Sequence, residues 1–176
     1  MDKHADREYS SDYPRLFEIE RDRIRRALEI PAQIEHIGST AVVGLGGKGI
    51  LDVGIGVASQ DRTSAREQLS LAGYEYRAKA STASRDFFRA DHKDGREVTR
   101  VHIHLLVRSG TEWNQLLRFR DYLRHHPTRM QQYADSRARA ATEADGDGSK
   151  YIALKGVVLQ EILRIAMEES HDERKL

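Results

Sequence analysis

The chain of 176 residues has 29 lysine and arginine residues against 28 aspartate and glutamate residues, and it contains no cysteine. This length suits a single domain with one core, and the near-zero net charge excludes a general electrostatic affinity for nucleic acids or acidic membranes. The lack of cysteine excludes disulfides, thiolate nucleophiles and zinc-thiolate sites. Because no apolar run is long enough to cross a membrane or to resemble a signal peptide, we expect a soluble, cytoplasmic protein with no membrane partner.

The first two thirds of the sequence predict a small mixed sheet with two helices. Residues 50–57 are apolar except for Asp52, which is typical of a strand that is covered on both faces. After a flexible segment over 1–12, the predicted elements are a helix over 14–28, strands over 32–37 and 50–57, a helix over 61–71 capped by Asp61, weak strands over 74–81 and 85–90, a hairpin turn at 92–95 and a strand over 97–107.

The last third predicts helices over 111–126, 128–143 and 149–167, separated by Pro127 and by a turn at 144–148. Trp113 and the apolar face of the last helix are expected to be core. The predicted fold class is therefore α/β (α+β), a small mixed β-sheet flanked by helices and followed by a C-terminal helical section. We expect one domain over 13–170, with the sheet over about 30–108 and the helical part over about 111–168.

The motif HIGST follows a predicted strand and leads into a glycine-rich turn. Gly38 allows the backbone to approach a ligand closely, and Ser39 and Thr40 offer hydroxyl and amide groups. This arrangement predicts an anion-binding turn, and the alternative is a purely structural turn. His36, just before the turn, orients it or acts as a general base.

A carboxylate and two imidazoles form a second candidate group. Asp52 is the sole charge in its apolar strand, so a metal ion or Lys48 would have to compensate the cost of burying it. His102 and His104 lie on one side of their strand because side chains alternate. If the two strands are neighbours, the three side chains converge; otherwise the histidines are polar residues on an open sheet face.

Four further side chains lie on the predicted helices. Arg120 and Arg124 in FRDYLR could bind an anion bidentately, or they form structural pairs, such as one with Asp121. Tyr151 and Lys155 lie one turn apart and could reach the same cleft, although a packed tyrosine beside a snorkelling lysine explains them as well. Few aromatic residues accompany the arginines, so nucleic-acid binding is not expected.

Four blocks of the sequence resemble the GrpB-like family, which is similar in fold to the nucleotidyltransferase superfamily. The match runs in order from about Phe17 to Gly156, and its blocks are HIGSTAVVGLGGKGILDVGIGV, HIHLL, FRDYLRHHP and YIALKG. The resemblance implies that Gly38 and Ser39 match the phosphate-binding turn and that Asp52 matches the first metal-binding carboxylate. Gly54 stands where the second carboxylate belongs, and His102 and His104 take the place of the third.

Two functions follow from this resemblance. The first is a transferase that depends on a divalent metal (Mg²⁺, Mn²⁺ or another transition metal) and acts on a nucleotide or another phosphate-containing or anionic small molecule. Its predicted catalytic residues are Asp52, His36 and Lys48, its metal ligands Asp52, His102 and His104, and its substrate-binding residues Gly38, Ser39, Thr40, Arg120, Arg124, Tyr151 and Lys155. The alternative is a non-catalytic nucleotide- or coenzyme-binding accessory module, because the second carboxylate is lost at Gly54 and family members resemble domains attached to dephospho-coenzyme A kinases. Neither reading indicates an oligomeric state.

Overall fold

The computed structural model describes residues 7–94 and 97–172. Its helices and strands, in chain order, are α1 (Tyr13–Ala27), β1 (Ala32–Ile37), β2 (Ile50–Val57), α2 (Arg62–Leu71), β3 (Glu75–Tyr76), β4 (Arg85–Asp94), β5 (Glu97–Val107), α3 (Thr111–His125), α4 (Pro127–Ala144) and α5 (Gly148–Asp172). Single 3₁₀ turns lie at Ser39–Ala41, Ser59–Asp61 and Ala78–Ala80.

The five strands form one mixed sheet in the order β1-β2-β5-β4-β3. Strands β2 and β5 run parallel, and the other neighbouring pairs are antiparallel. Helices flank this sheet, and α3, α4 and α5 form the C-terminal helical section. The predicted fold class is therefore confirmed.

The weaker strand predictions need correction. The strand predicted over 74–81 is reduced to the two residues of β3, because the alanine-rich stretch after it folds into a turn closed by the hydrogen bond from Ser81 N to Arg77 O (3.1 Å). Strand β4 extends to Asp94 because its backbone pairs with β5 along its whole length. Part of the hairpin turn predicted at 92–95 lies outside the described residues. Asp61 occupies the N-cap of α2 without a capping hydrogen bond from its side chain.

Two hydrophobic clusters hold the elements together. The sheet core lies between one face of the sheet and helices α1 and α2, and the helical core joins α3, α4 and α5 to the segment after β1. Trp113 is 2% exposed, as expected of a core residue. The apolar face of α5 is core only in its second half, around Ile162 and Ala166, whereas Ile152 and Val157 are 70% and 69% exposed.

The N-terminal segment contacts the glycine-rich loop before β2. Arg7 and Gly47 exchange two backbone hydrogen bonds of 2.6 and 2.9 Å. This bridge lies within the stretch that the sequence predicts to be flexible. It fixes one side of the loop that leads into the strand with Asp52.

Candidate functional site

The turn after β1 lies directly against the side chain of Asp52. Gly38 has φ 72°, a conformation that favours glycine. A Cβ atom at this position would lie 2.8 Å from Cβ and 2.9 Å from Cγ of Asp52, closer than van der Waals contact. Glycine is therefore required here for two reasons, and the close approach brings two of the predicted site residues together.

Asp52, His102 and His104 converge on one face of the sheet. Strands β2 and β5 are neighbours, and their register pairs Asp52 with His102 and Gly54 with His104. Nε2 of His104 lies 3.3 Å from Oδ1 of Asp52, and Nδ1 of His102 lies 3.6 Å from the same oxygen. We call Gly38, Asp52, His102 and His104 the sheet-face cluster.

The two imidazoles determine the charge of this cluster. Burial raises the pKa of Asp52, but hydrogen bonds and positive charge from His102 and His104 outweigh burial and hold that pKa well below its usual range. The carboxylate is therefore ionised at neutral pH. Lys48, the other predicted partner, places its Nζ atom 4.4 Å from the centre of the Tyr151 ring.

Trp113 covers the position of the absent second carboxylate. A Cβ atom at Gly54 would lie 3.2 Å from Cζ3 of Trp113, and one at Gly56 would lie 3.0 Å from Cη2 and Cζ2 of the same ring. The indole is almost fully buried. A side chain at position 54 therefore requires the indole to move, so a glycine at this position and the place of the tryptophan belong together.

These residues do not fit the divalent-metal centre that the resemblance implies. Among the described residues, no group of three histidine, aspartate or glutamate side chains is placed to hold a metal ion. Both imidazoles approach the same oxygen of Asp52, and Trp113 covers the place of the second carboxylate. A two-metal site for nucleotidyl transfer needs several hard oxygen ligands.

His36 lies on the opposite face of the sheet from Asp52. In the β1-β2 register Ile37 pairs with Asp52 and His36 with Val53, so His36 and Asp52 point to opposite sides. Its ring stacks on Phe17 with 4.8 Å between ring centres. Burial, reinforced by the charge of Arg124, lowers the pKa of His36 to about 4.

Thr40 fixes the tautomer of this neutral imidazole. The threonine hydroxyl donates to the backbone oxygen of Ile50 (3.3 Å), so it accepts a hydrogen bond from Nε2 of His36 (3.0 Å). The chain from His36 through Thr40 to Ile50 ties the turn to the start of β2. In this position His36 orients the turn and does not face Asp52 as a general base.

The two arginines of FRDYLR hold the turn from the outside. Arg120 is 9% exposed and donates to Glu35, to both carboxylate oxygens of Asp121 and to the backbone oxygen of His36. The pairing with Asp121 agrees with the structural alternative, whereas no local pattern in the sequence indicates Glu35 as a partner. Nε of Arg124 donates to the backbone oxygen of Ala41 (2.9 Å).

The structure thus distributes the predicted site residues over several separate places. The sheet-face cluster lies on one face of the sheet, while His36, Thr40, Arg120 and Arg124 line a cavity beside β1. Lys48 and Tyr151 meet near the turn between α4 and α5, and Lys155 lies one helical turn further along α5. Ser39 faces Gly47, where an added Cβ would lie 3.2 Å from the serine Cβ. Arg137, 5% exposed and close to Gly47, gave no signal in the sequence.

The model of the family described as GrpB protein matches residues 7–164. The chain belongs to the GrpB family. The UPF0157 protein BH1888 of Halalkalibacterium halodurans is 33% identical over 161 residues, which cover 90% of this chain and 80% of the relative. The membership that the four sequence blocks predict is confirmed.

The chain is also similar to solved structures. The crystal structure of the conserved protein GrpB from Enterococcus faecalis matches with a TM-score of 0.78 and 25% identity, covering 94% of this chain and 99% of that chain. The poly(U) polymerase Cid1 in complex with its short product ApU matches with a TM-score of 0.45 and 15% identity over 84% of this chain and 48% of that chain. No helix in the described part of this GrpB chain has the length and apolar character needed to cross a membrane.

Proposed function

We propose that this GrpB protein is a binding module that holds an anionic small molecule of the nucleotide or coenzyme type at the Gly38–Thr40 turn and does not catalyse two-metal nucleotidyl transfer. The observation that carries this proposal is the indole of Trp113 over Gly54. The resemblance to nucleotidyltransferases puts the second metal-binding carboxylate at that place, and two-metal catalysis depends on such hard oxygen ligands. Here the space is used for core packing.

The sheet-face cluster supports binding of an anion in a second way. The carboxylate of Asp52 already has the ring nitrogens of His102 and His104 within 3.6 Å, so it has contacts other than a cation from solution. The side chain of His102 is 24% exposed and can reach a ligand beside the turn. Imidazole and backbone N–H groups are suitable donors for a phosphate oxygen.

The second candidate is the metal-dependent transferase that acts on a nucleotide or another anionic substrate. The observation that favours it is the convergence of three ligand-type side chains, Asp52, His102 and His104, next to the turn at Gly38, although these side chains would have to rearrange to hold a metal ion. In that case the catalytic roles predicted for Asp52 and Lys48 would hold, and binding would depend on Mg²⁺, Mn²⁺ or another transition metal.

Thermal unfolding separates the two candidates. The wild type, Asp52→Asn and His102→Gln are each heated with ATP, CTP or coenzyme A, with and without Mg²⁺, Mn²⁺ and Zn²⁺. Ligand at a hundred times its dissociation constant adds about 2.7 kcal/mol of stability, and each kcal/mol raises the Tm of a domain of this size by about 2–4 °C.

For the binding module we expect a rise in Tm that is independent of metal, kept in Asp52→Asn and reduced in His102→Gln. A rise that requires metal and disappears in Asp52→Asn would instead contradict the metal-independent binding module and favour the metal-dependent candidate. No rise with any of the three ligands would contradict a nucleotide or coenzyme as the bound molecule.

A further inference from the structure

A cavity of about 680 Å³ lies beside the edge strand β1, between α1 and α3. This volume falls within the range of about 300–1,000 Å³ that is typical of small-molecule sites. The sheet-face cluster does not line it, and of the Gly38–Thr40 turn it contains only Thr40, so the cavity lies on the other side of the turn from Asp52, His102 and His104. Its walls combine one apolar side with one arginine-rich side.

The apolar side is part of the packed core. Phe17 and Leu123 are 8% and 1% exposed, and Met130 packs against the helical core. Because these side chains are held by their neighbours, the cavity is preformed. His36, stacked on Phe17, adds a flat polar group, and its low pKa keeps that group neutral at pH 7.

The charged side of the cavity carries more positive than negative charge. The two carboxylates among the lining residues already have partners: Glu35 accepts from Arg120 at 2.7 Å, and Glu18 contacts Arg21. Arg120 is saturated by Glu35 and Asp121. The carboxylates of the cavity are therefore already paired, so little negative charge remains to balance another arginine.

Arg15, 61% exposed and 3.7 Å from Asp12, is one loosely compensated cation of the lining, and Arg124 is the other. The carboxylate oxygen nearest to Arg124 is Oδ1 of Asp121 at 3.5 Å, and that oxygen already accepts from Nε of Arg120 at 2.7 Å. Burial, together with the positive charge of Arg120, lowers the pKa of Arg124. Since Nε is held by the backbone oxygen of Ala41, the orientation of the guanidinium is fixed before any ligand arrives.

We infer that this cavity binds a small organic acid with an apolar body, whose carboxylate pairs with the guanidinium of Arg124. A fixed guanidinium matches a carboxylate bidentately, and the apolar body lies against Phe17, Leu123 and Met130. The inference goes beyond the proposed function because it concerns another ligand, another group of residues and the other side of the Gly38–Thr40 turn.

The test is a titration of the ¹⁵N-labelled wild type with phenylacetate, followed by NMR, with the neutral phenylacetamide as matched ligand. We expect saturable shifts at the amides of His36 and Ala41 and at Nε of Arg124, and at least tenfold weaker binding of phenylacetamide. Tenfold corresponds to about 1.4 kcal/mol, a typical value for one charge-assisted hydrogen bond. Absence of saturable shifts at these positions up to millimolar phenylacetate would overturn the inference.

Two pairs of variants locate the binding. Arg124→Gln should weaken phenylacetate binding at least tenfold, whereas Arg139→Gln, an exposed arginine on α4, should leave it unchanged. Val43 lines the cavity and is 73% exposed, so substitutions there leave the fold intact. Val43→Glu should weaken binding by charge repulsion. Val43→Gln, which introduces a side chain of the same shape as glutamate but without charge, should not weaken it.

Unchanged affinity in both Arg124→Gln and Val43→Glu would overturn the inference, even if phenylacetate binds elsewhere. The proposed function is tested separately, and this result neither supports nor contradicts it. Its ligands are nucleotides or coenzymes, and their shifts are expected at Gly38, Ser39 and His102.

Discussion

The two faces of strand β2 differ sharply, although their residues alternate along the same eight positions. On one face Leu51, Val53, Ile55 and Val57 are at most 1% exposed and pack against α1 and α2. The other face presents Asp52, Gly54 and Gly56 to two histidines and one tryptophan. The first face is what any buried strand requires, whereas the second has a carboxylate and two glycines that core packing alone does not explain. Function is therefore to be sought on the second face.

The largest effect is expected on the apolar face. Ile55→Ala should lower the free energy of unfolding by about 2–5 kcal/mol, because it opens a cavity in a fully buried core. Urea denaturation at pH 7 measures the change. The comparison is His104→Ala, because this side chain lies on the opposite face of the sheet. Its effect on the free energy of unfolding should be clearly smaller. Equal costs would contradict the distinction between the two faces.

The next effect tests whether Trp113 and Gly54 belong together. Gly54→Asp should cost about 2–3 kcal/mol, because the carboxylate is forced against a buried indole. In the Trp113→Leu background the same substitution should cost about 1–2 kcal/mol less, since the smaller side chain leaves room. A double-mutant cycle from urea unfolding gives this coupling.

The matched control for that cycle is Gly73→Asp with Trp113→Leu. A Cβ atom at Gly73 meets nothing within 4 Å, so its coupling to Trp113 should be zero even though its positive φ carries a cost of its own. If the effects of Gly54→Asp and Trp113→Leu on the free energy of unfolding also prove additive, the indole does not occupy the place of the second carboxylate.

His36 gives a pH-dependent test of its position behind the turn. Its pKa is about 4 in the folded chain and about 6.5 when unfolded. Between these values the unfolded chain binds a proton that the folded chain does not, so the stability present above pH 6.5 is lost as the pH falls towards 4. The loss should reach up to about 3 kcal/mol in urea titrations of the wild type.

His36→Gln should remove this dependence, since glutamine can donate to Thr40 without taking up a proton. The exposed His125 provides the control, and His125→Gln should keep the wild-type pH profile. A profile in His36→Gln that equals that of the wild type would show that another group titrates.

Much of the fold and part of the site could be predicted from local patterns. The alternation in β2 and β5 predicts both strands and the convergence of Asp52 with His102 and His104, on the condition that the strands are neighbours. The strand order itself depends on tertiary packing, as does the short β3. The sequence also predicted that His36 belongs to the same site as Asp52, because the two residues flank one motif.

The β1-β2 register separates His36 from Asp52, and a local pattern contains no information about register. Trp113 was identified as core, but its contact with Gly54 joins distant parts of the chain. The cavity beside β1 forms from four elements at once and has no sequence signature of its own.

The smallest effect concerns the carboxylate of the sheet-face cluster. Asp52→Asn should lower the free energy of unfolding by only about 1 kcal/mol at pH 7. The amide oxygen can still accept a hydrogen bond from one imidazole, and a quarter of the Asp52 side chain is exposed. The folded pKa of Asp52 lies below the unfolded value of about 3.9. Its contribution is therefore complete above that pH and is lost as the pH falls below it.

The difference between the wild type and Asp52→Asn should accordingly close below about pH 4 in urea titrations. Asp61→Asn is the matched control, because the side chain of Asp61 makes no capping hydrogen bond and its removal should cost close to nothing. A difference that stays constant down to the lowest pH would show that the amide, and not the loss of charge, is responsible. In that case the two imidazoles would not depend on the charge of Asp52, and the polar face of β2 would be held together by packing alone.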